Sequence, residues 1–194
     1  MQIEVNLVYH DLMHFLKLSW EKFYKDCLFL GKKIKQTHKK IDRIIAISRG
    51  GLIPARILSD FLQLPISNIV ISSYTNLKQL KEPEIIEVSE INLKDKSILI
   101  VDEVSDTGKT FIRALKHFQE RPVKNIITCA PYIKPKTKFF PNFYQETIDA
   151  WIVFPYDLKE TYEAFLKEEK NKEKVKEKLL KIGFKKWEIK LLNF

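Results

Sequence analysis

The chain has 194 residues with a formal net charge of +9, and 45% of its residues are hydrophobic and 30% charged. These values are ordinary for one soluble α/β domain with a good core, and no apolar run approaches the roughly 18 residues that a membrane span needs. Because Cys27 and Cys129 stand far apart without metal-ligand spacing and the N-terminus has no signal-peptide pattern, we expect a reduced cytoplasmic protein.

The hydrophobic pattern predicts strands that alternate with helices along most of the chain. The predicted strands are residues 1–9, 43–47, 68–72, 98–101, 125–132 and 150–154. The predicted helices are residues 11–35 (one long helix, or two short ones with Ser19 as a cap), 52–62 and 111–119. Residues 74–90, with a short strand at 84–88, and residues 134–146 are predicted loops. This alternation favours a mostly parallel sheet covered on both faces.

The tail, residues 159–194, has a different composition, because its apolar residues are spaced among Glu and Lys. This pattern predicts one or two amphipathic helices, broken near Gly183. We therefore expect a main domain of residues 1–158 and a helical extension of residues 159–194. So many apolar side chains would need a surface to cover, which predicts packing on the body of the protein or on a second subunit, without a catalytic role.

The most informative segment is residues 98–110. Four branched apolar residues predict a buried strand that ends at the adjacent acids Asp102 and Glu103. Asp106, Thr107, Gly108, Lys109 and Thr110 then form a turn that opens a helix. In open α/β sheets ligands bind at this end of the strands, and backbone N–H groups at a helix N-terminus bind phosphate. A P-loop is excluded, because Glu103 stands where that motif needs its first glycine. The carboxylates can accept hydrogen bonds from hydroxyl groups, so a pair of them beside a phosphate-binding turn suits a ribose 5-phosphate.

A second strand, residues 43–47, ends in a turn made of Ser48, Arg49, Gly50 and Gly51. Glycine lets the backbone approach a ligand closely, and an arginine binds phosphate oxygens through two parallel hydrogen bonds. A strand that ends in a Gly-Gly turn is common, so this turn indicates a ligand site only together with residues 98–110.

Three later residues carry groups that suit the recognition of a nucleic-acid base. Lys134 has hydrogen-bond donors for an exocyclic oxygen, Trp151 has a flat face for stacking, and the backbone of Ile152 could meet the edge of a base. Taken alone, Lys134 could equally be a surface lysine and Trp151 an ordinary core residue. Asp157 could help to hold a metal ion.

In this order, the segments 48–51, 72–74, 102–110 and 151–157, with Lys134, resemble type I phosphoribosyltransferases of the xanthine-guanine or hypoxanthine (6-oxopurine) type. The resemblance covers roughly residues 19–159. It implies a mostly parallel twisted sheet with helices on both faces and a small hood, here followed by the helical extension. It also implies salvage of hypoxanthine, guanine or xanthine: the base and 5-phosphoribosyl-1-pyrophosphate (PRPP) give the nucleoside 5′-monophosphate and pyrophosphate, with Mg²⁺.

The resemblance assigns roles residue by residue. Asp106 is the catalytic residue, placed near the purine N7 as a general base or electrostatic stabiliser. Lys134, Trp151 and Ile152 bind the purine, and Asp102, Glu103 and Asp157 are metal ligands. In many relatives the peptide at Ser48–Arg49 is cis. The residues that the resemblance assigns to PRPP are Ser48, Arg49, Gly50, Gly51, Ser73, Tyr74, Asp102, Glu103, Asp106, Thr107, Gly108, Lys109 and Thr110. Ser73 and Tyr74 would begin a flap over PRPP.

Three other functions stay open on the sequence alone. They are a PRPP-sensing regulator that binds nucleic acid on the same fold, an adenine-specific phosphoribosyltransferase, and a binding module whose tail recruits a partner. Regulators of this kind usually lose the base-recognition hood, so the presence of Lys134, Trp151 and Asp157 favours the enzyme. As an enzyme it is expected to form a homodimer or homotetramer, with no membrane and no nucleic-acid partner.

Overall fold

A computed structural model describes residues 7–10, 13–75 and 78–192, with side-chain surroundings for residues 15–72 and 82–192. The contacts divide the chain into two compact units. The first unit comprises Met1–Phe23 and Asp149–Phe194, and the second is Tyr24–Ile148. The described strands are Leu7–His10 (β1), Met13–Lys17 (β2), Arg43–Ser48 (β3), Ile66–Thr75 (β4), Lys78–Val88 (β5), Ser97–Val101 (β6), Val104–Ser105 (β7), Asn125–Ile133 (β8), Phe143–Thr147 (β9) and Trp151–Val153 (β10). The described helices are Trp20–Gln36 (α1), Leu52–Leu62 (α2), Lys109–Gln119 (α3), Leu158–Glu169 (α4), Lys172–Lys181 (α5) and Lys186–Lys190 (α6).

The second unit is built on a sheet of order β5-β4-β3-β6-β8-β7, with β9 also paired to β8. Among its described strands, β5 alone runs antiparallel to its neighbour, and the others are parallel. The predicted mostly parallel α/β architecture is confirmed.

Both faces of this sheet are buried, which is why its central strands are continuous apolar runs. On one face, Ile45, Ile98 and Ile100 pack with Phe111 and Phe118 of α3. On the other face, the neighbouring side chains of β3 and β6 pack with residues of α1 and α2; these side chains are Ile44, Ala46, Leu99, Val101, Leu30, Ile34, Ala55 and Leu58. Alternating residues of each strand therefore enter two separate cores, and the strands are held firmly.

The carboxyl ends of β3, β6 and β8 lie at one edge of the sheet. The parallel register sets Ala46 beside Val101, and Val101 beside Cys129. The turns that leave these strands therefore emerge next to one another, in the position where open α/β sheets bind ligands.

In three regions strands replace the predicted helix or loop. One of them is the predicted loop of residues 134–146, whose last four residues belong to β9 because β9 pairs with β8. Residues 13–17, inside the predicted helix, form β2 because they pair with both β1 and β10. Helix α1 follows, and the Ser19 hydroxyl accepts from the Lys22 N–H (3.1 Å), which confirms the alternative in which Ser19 is a cap. For residues 74–90 the sequence predicts a loop with a short strand at 84–88. The strand is present as the end of β5, but most of the predicted loop also belongs to β4 and β5, a long antiparallel pair with two register irregularities. β5 is an edge strand, where charged residues and irregular pairing are tolerated.

The first unit contains the sheet β1-β2-β10 and the tail helices. Phe15 of β2 and Val153 of β10 lie in one buried cluster with seven tail residues, namely Tyr162, Phe165, Val175, Leu179, Ile182, Phe184 and Ile189. The rings of Phe15 and Phe165 meet edge to face with centroids 5.2 Å apart. The predicted amphipathic helices are present, and Gly183, with φ of +102°, lies between α5 and α6. Among the described residues, no helix has the length and apolar character to cross a membrane.

Candidate active site

The turn after β7 has the geometry of a phosphate-binding loop. Gly108 has φ of +83° and is the N-cap of α3. A Cβ on Gly108 would also press against the main chain of Phe139, with its nitrogen 2.7 Å away, so glycine is required for two reasons. The first N–H groups of a helix have no intrahelical acceptor. The turn can therefore offer the N–H groups of residues 107–110 to an anion.

Asp102 and Glu103 form an acidic pair directly after β6. The Asp102 Oδ1 accepts from the Glu103 N–H (2.9 Å). Burial, and then the charge of Glu103, raise the pKa of the Asp102 carboxyl well above its ordinary value. Hydroxyl donors or a cation at this pair would favour its charged form.

The donor set of this pair suits Mg²⁺, which prefers oxygen ligands and commonly takes one or two carboxylates together with substrate phosphates. Among the described residues, no group of three or more His, Cys, Asp or Glu side chains is arranged to hold a metal ion. Most ligands of an ion at Asp102 and Glu103 would therefore come from substrate and water.

The glycine turn after β3 lies against this acidic pair. A Cβ on Gly50 would overlap the Glu103 carboxylate, so the two segments are in direct contact. The Gly51 N–H donates to the Ile47 carbonyl oxygen (2.9 Å). The Ser48–Arg49 peptide bond is cis, as the resemblance implies. The Ser48 hydroxyl oxygen is buried and has no hydrogen-bond partner among the described residues.

Substitution of Gly51 by alanine should be more damaging to folding than substitution of Gly50. A Cβ on Gly51 would collide with the carbonyl oxygens of Val101 and Ile47, which are held in the sheet, whereas a Cβ on Gly50 meets the mobile end of the Glu103 side chain. We expect Gly51→Ala to lower the free energy of unfolding by about 1–3 kcal/mol, as for other overpacked sites. Urea denaturation of both variants tests this, and equal stability of the two would contradict it.

Asp106, the predicted catalytic residue, forms an ion pair with Lys136, with Nζ and Oδ1 3.2 Å apart. Both side chains are exposed, so the pair contributes at most about 1 kcal/mol and can open readily when a substrate arrives. Lys136 was not among the predicted site residues. Nothing in the sequence distinguishes it from the neighbouring Lys138; only the turn geometry does.

Lys134 lies next to the phosphate-binding turn. Strand β7 pairs with the end of β8, with Ser105 beside Ile133. As a result the Lys134 N–H donates to the Ser105 carbonyl oxygen (3.0 Å). The second unit thus brings together the turn of residues 48–51, the acids Asp102 and Glu103, the phosphate-binding turn and the lysine predicted to read the base.

Three of the remaining predicted site residues, Trp151, Ile152 and Asp157, lie in the first unit. Trp151 is 55% exposed, which excludes the alternative of an ordinary core residue, whereas the neighbouring Ile152 is buried. The Asp157 Oδ2 accepts from the Phe154 N–H (3.1 Å) and so also shapes the turn before α4. The side chains of Ser73 and Tyr74 lie outside the described residues, so their role in binding PRPP stays a prediction.

The fold and this arrangement of turns define a class of protein that transfers phosphoribosyl groups. The family described as "phosphoribosyl transferase domain" matches residues 18–163, and the chain belongs to this family. The predicted family and fold are confirmed. Residues 164–194 lie outside the match.

Relatives and solved structures give the same result. The xanthine-guanine phosphoribosyltransferase of Gluconobacter oxydans (strain 621H) is 30% identical over 149 residues, which are 75% of this chain and 86% of that protein. The structure of a purine phosphoribosyltransferase from Pyrococcus horikoshii Ot3 has a TM-score of 0.65 and 35% identity, covering 73% of this chain and 93% of that one. The xanthine-guanine-hypoxanthine phosphoribosyltransferase of Helicobacter pylori has a TM-score of 0.66 and 28% identity, covering 76% of this chain and 97% of that one.

Proposed function

We propose that this protein is a purine salvage phosphoribosyltransferase. It transfers the 5-phosphoribosyl group of PRPP to a 6-oxopurine (hypoxanthine, guanine or xanthine) and releases pyrophosphate. The observation that carries the proposal is the contact between the glycine turn and the acidic pair, beside a phosphate-binding turn, at the carboxyl edge of the sheet. The related purine phosphoribosyltransferases support the choice of a purine as acceptor.

In the proposed complex each turn holds one part of PRPP. The N–H groups of residues 107–110 bind the 5-phosphate, and Asp102 and Glu103 accept from the ribose hydroxyls. Arg49 and the backbone of Gly50 and Gly51 bind the pyrophosphate. The buried Ser48 hydroxyl, unpartnered among the described residues, supports this assignment, because an unmade hydrogen bond in the interior costs about 1–3 kcal/mol until a ligand satisfies it.

Asp102 and Glu103 would hold a Mg²⁺ ion, whereas Asp157 as a further ligand stays a prediction, because no group of three such side chains is arranged for a metal ion among the described residues. A bound Mg²⁺ neutralises the negative charge that develops on the leaving pyrophosphate. Burial and the charge of Glu103 raise the pKa of Asp102, and a cation bound at this pair would oppose both effects.

The chemical step exchanges the bond from the anomeric carbon to pyrophosphate for a bond to a purine nitrogen. The purine loses a proton as this bond forms. Asp106, near N7, takes that proton or stabilises the positive charge that the base develops. Trp151 stacks on the base, Lys134 donates to O6, and the backbone of Ile152 meets the base edge. Ser73 and Tyr74 begin the flap that keeps water from the reacting carbon.

A phosphoribosyl-transfer assay with PRPP, Mg²⁺ and each purine in turn tests the proposal. Transfer to hypoxanthine, guanine or xanthine is the expected result. A highest kcat/KM with adenine would replace the assignment by the adenine-specific alternative. Absence of transfer to any purine, together with PRPP-dependent binding of nucleic acid, would identify a regulator instead.

Replacing Lys134 with methionine should weaken the preference for 6-oxopurines. The lysine side chain has donors and no acceptor, so it suits O6 and leaves the 6-amino group of adenine unmatched. We expect kcat/KM for 6-oxopurines to fall by about 10-fold or more, since one charged hydrogen bond contributes about 1.5–3 kcal/mol. Lys138→Met, at an exposed lysine of the same turn, is the matched control and should change kcat/KM little. Equal losses in both variants would show that Lys134 does not read the base.

Excess chelator should leave weak or undetectable turnover, and added Mg²⁺ should restore it. Without a cation, the negatively charged groups of PRPP would face the carboxylates of Asp102 and Glu103. Like charges repel each other strongly where bulk water does not screen them. PRPP binding, measured by equilibrium dialysis with and without chelator, should show the same dependence. Full activity in chelator would rule out this role for the metal.

A reduced cytoplasmic compartment and a homo-oligomer complete the proposal. Cys27 and Cys129 are both buried free thiols, which fits a reducing environment. Large aromatic side chains of α1 and α2 in the second unit are exposed, among them Tyr24, Phe29 and Phe61, and these favour a subunit interface. Light scattering during gel filtration would distinguish a dimer or tetramer from a monomer.

A further inference from the structure

A hydrogen-bonded network joins the turn of residues 134–139, called here the base turn, to residues 105–110, called here the phosphate loop. Two backbone bonds run between them: the Lys134 N–H donates to the Ser105 carbonyl oxygen (3.0 Å), and the Lys138 N–H donates to the Thr107 carbonyl oxygen (3.2 Å). The base turn is itself closed by a bond from the Thr137 N–H to the Lys134 carbonyl oxygen (3.1 Å). The lysine proposed to read the base is therefore tied to the loop proposed to bind the 5-phosphate.

Two buried hydroxyl groups complete the network. Ser105 and Thr137 are 1% and 6% exposed, and their hydroxyl oxygens are 2.9 Å apart. The Ser105 hydroxyl can donate to the Phe139 carbonyl oxygen (2.8 Å), and so can the Thr137 hydroxyl (3.1 Å). Each hydroxyl has a single proton to donate, so two donors are shared among three oxygen–oxygen contacts. Both side chains are needed to keep this triangle closed.

Phe139 carries the connection back to the start of α3. Its ring stacks on Phe111 with centroids 5.3 Å apart. Its main chain lies against Gly108, where a Cβ would not fit. Asp106 adds the ion pair with Lys136 of the base turn. Backbone hydrogen bonds, a ring contact and an ion pair therefore all join the phosphate loop to the base turn.

The polar pair contributes to stability, because apolar groups in its place would leave the Phe139 carbonyl oxygen without its two side-chain donors. A hydroxyl triangle differs from an apolar contact in fixing direction, because hydrogen bonds weaken steeply away from linearity. This property is useful where one loop has to set the position of another.

We propose that Ser105 and Thr137 are positioning residues that couple the two halves of the active site. PRPP on the phosphate loop orders the base turn through them and so places Lys134 before the purine binds. The free-energy cost of ordering that turn then falls on the binding of PRPP and not on the binding of the purine. This is the condition for positive coupling between two ligands. This inference rests on the proposed function.

The test compares Thr137→Val, which keeps the shape and removes the hydroxyl, with Thr137→Ser, which keeps the hydroxyl. In the presence of Mg²⁺, the dissociation constant for PRPP is measured without base, and the KM for the purine at saturating PRPP. We expect Thr137→Val to raise the purine KM by about 5-fold or more, within the usual range of coupling between sites, and to change PRPP binding by less than about 3-fold. Thr137→Ser should stay within about 2-fold of the wild type in both.

Hydrogen–deuterium exchange gives a readout that does not depend on turnover. In the wild type, PRPP should slow exchange in the base turn, above all at the amides of Lys134 and Lys138, and this protection should be lost in Thr137→Val. No protection by PRPP in the wild type would overturn the inference, as would an unchanged purine KM in Thr137→Val. Equal weakening of both substrates with a lower melting temperature would reduce the network to a structural role. A wild type that protects the turn but transfers to no purine would refute the proposed function and leave the coupling standing.

Discussion

Asp106→Ala should lower kcat by about 10²- to 10⁴-fold, the usual contribution of a general base, with a much smaller change in PRPP affinity. The carboxylate stands directly before the phosphate-binding turn and is held by an exposed ion pair that a substrate can displace. Its loss should therefore affect the transition state more than the binding of PRPP. Single-turnover kinetics, together with PRPP binding without base, separates the two effects.

Two further variants sharpen this test. Asp106→Asn keeps the shape of the side chain and removes its charge and basicity, so it should be nearly as slow as the alanine variant. Lys136→Ala removes the ion-pair partner and keeps the carboxylate, so it should retain most of the activity. Wild-type turnover in Asp106→Asn would remove Asp106 from the mechanism. A loss in Lys136→Ala as large as that in Asp106→Ala would assign a substrate contact to the lysine instead.

The sequence was most informative where local chemistry alone determines structure. The apolar residues 98–101, directly before Asp102, predicted a buried strand, and Gly108 was predicted in a turn that begins a helix. In parallel sheets the ends of neighbouring strands meet, so two turns far apart in sequence could be expected at one site. The overlap that a Cβ on Gly50 would make with Glu103 fits that expectation.

The sequence was least informative where pairing or packing at a distance decides. Residues 13–17 have apolar spacing that also suits a helix, and their pairing with β1 and β10 makes them a strand. Residues 78–88 are charged and weakly patterned, yet an edge position beside β4 accepts them. Lys136 could not be distinguished from Lys138 until the turn showed which of them reaches Asp106. In the first and third cases a deciding partner, β10 or Asp106, is distant in the sequence, whereas β5 pairs with the adjacent strand β4.

Strand β10 links the tail to the proposed base-recognition residues. It carries Trp151 and Ile152, and its last residue, Val153, lies in the cluster formed with the tail helices. Trp151 is exposed, whereas Ile152 and Val153 of the same strand are buried. The tail thus supplies seven of the nine buried residues of this cluster, although residues 164–194 lie outside the family match.

Two adjacent leucines of α5 allow a matched test of this structural role. Leu179 is fully buried in the cluster, whereas Leu180 is 41% exposed. We expect Leu179→Ala to lower the free energy of unfolding by about 2–5 kcal/mol, the cost of a cavity in a packed core. Leu180→Ala should change it by no more than about 0.5 kcal/mol, as for most surface substitutions.

Activity measured well below the melting temperature separates this structural role from a catalytic one. If the tail only supports the fold, both leucine variants should keep kcat within about tenfold of the wild type, because the effect of a core substitution falls mainly on stability. Chemical denaturation followed by tryptophan fluorescence provides the stabilities, and the same preparations provide the rates. A folded Leu179→Ala protein that binds PRPP but has lost all turnover would mean that the tail completes the active site. Equal stability of the two variants would instead contradict the packing of α5 in the core of the first unit.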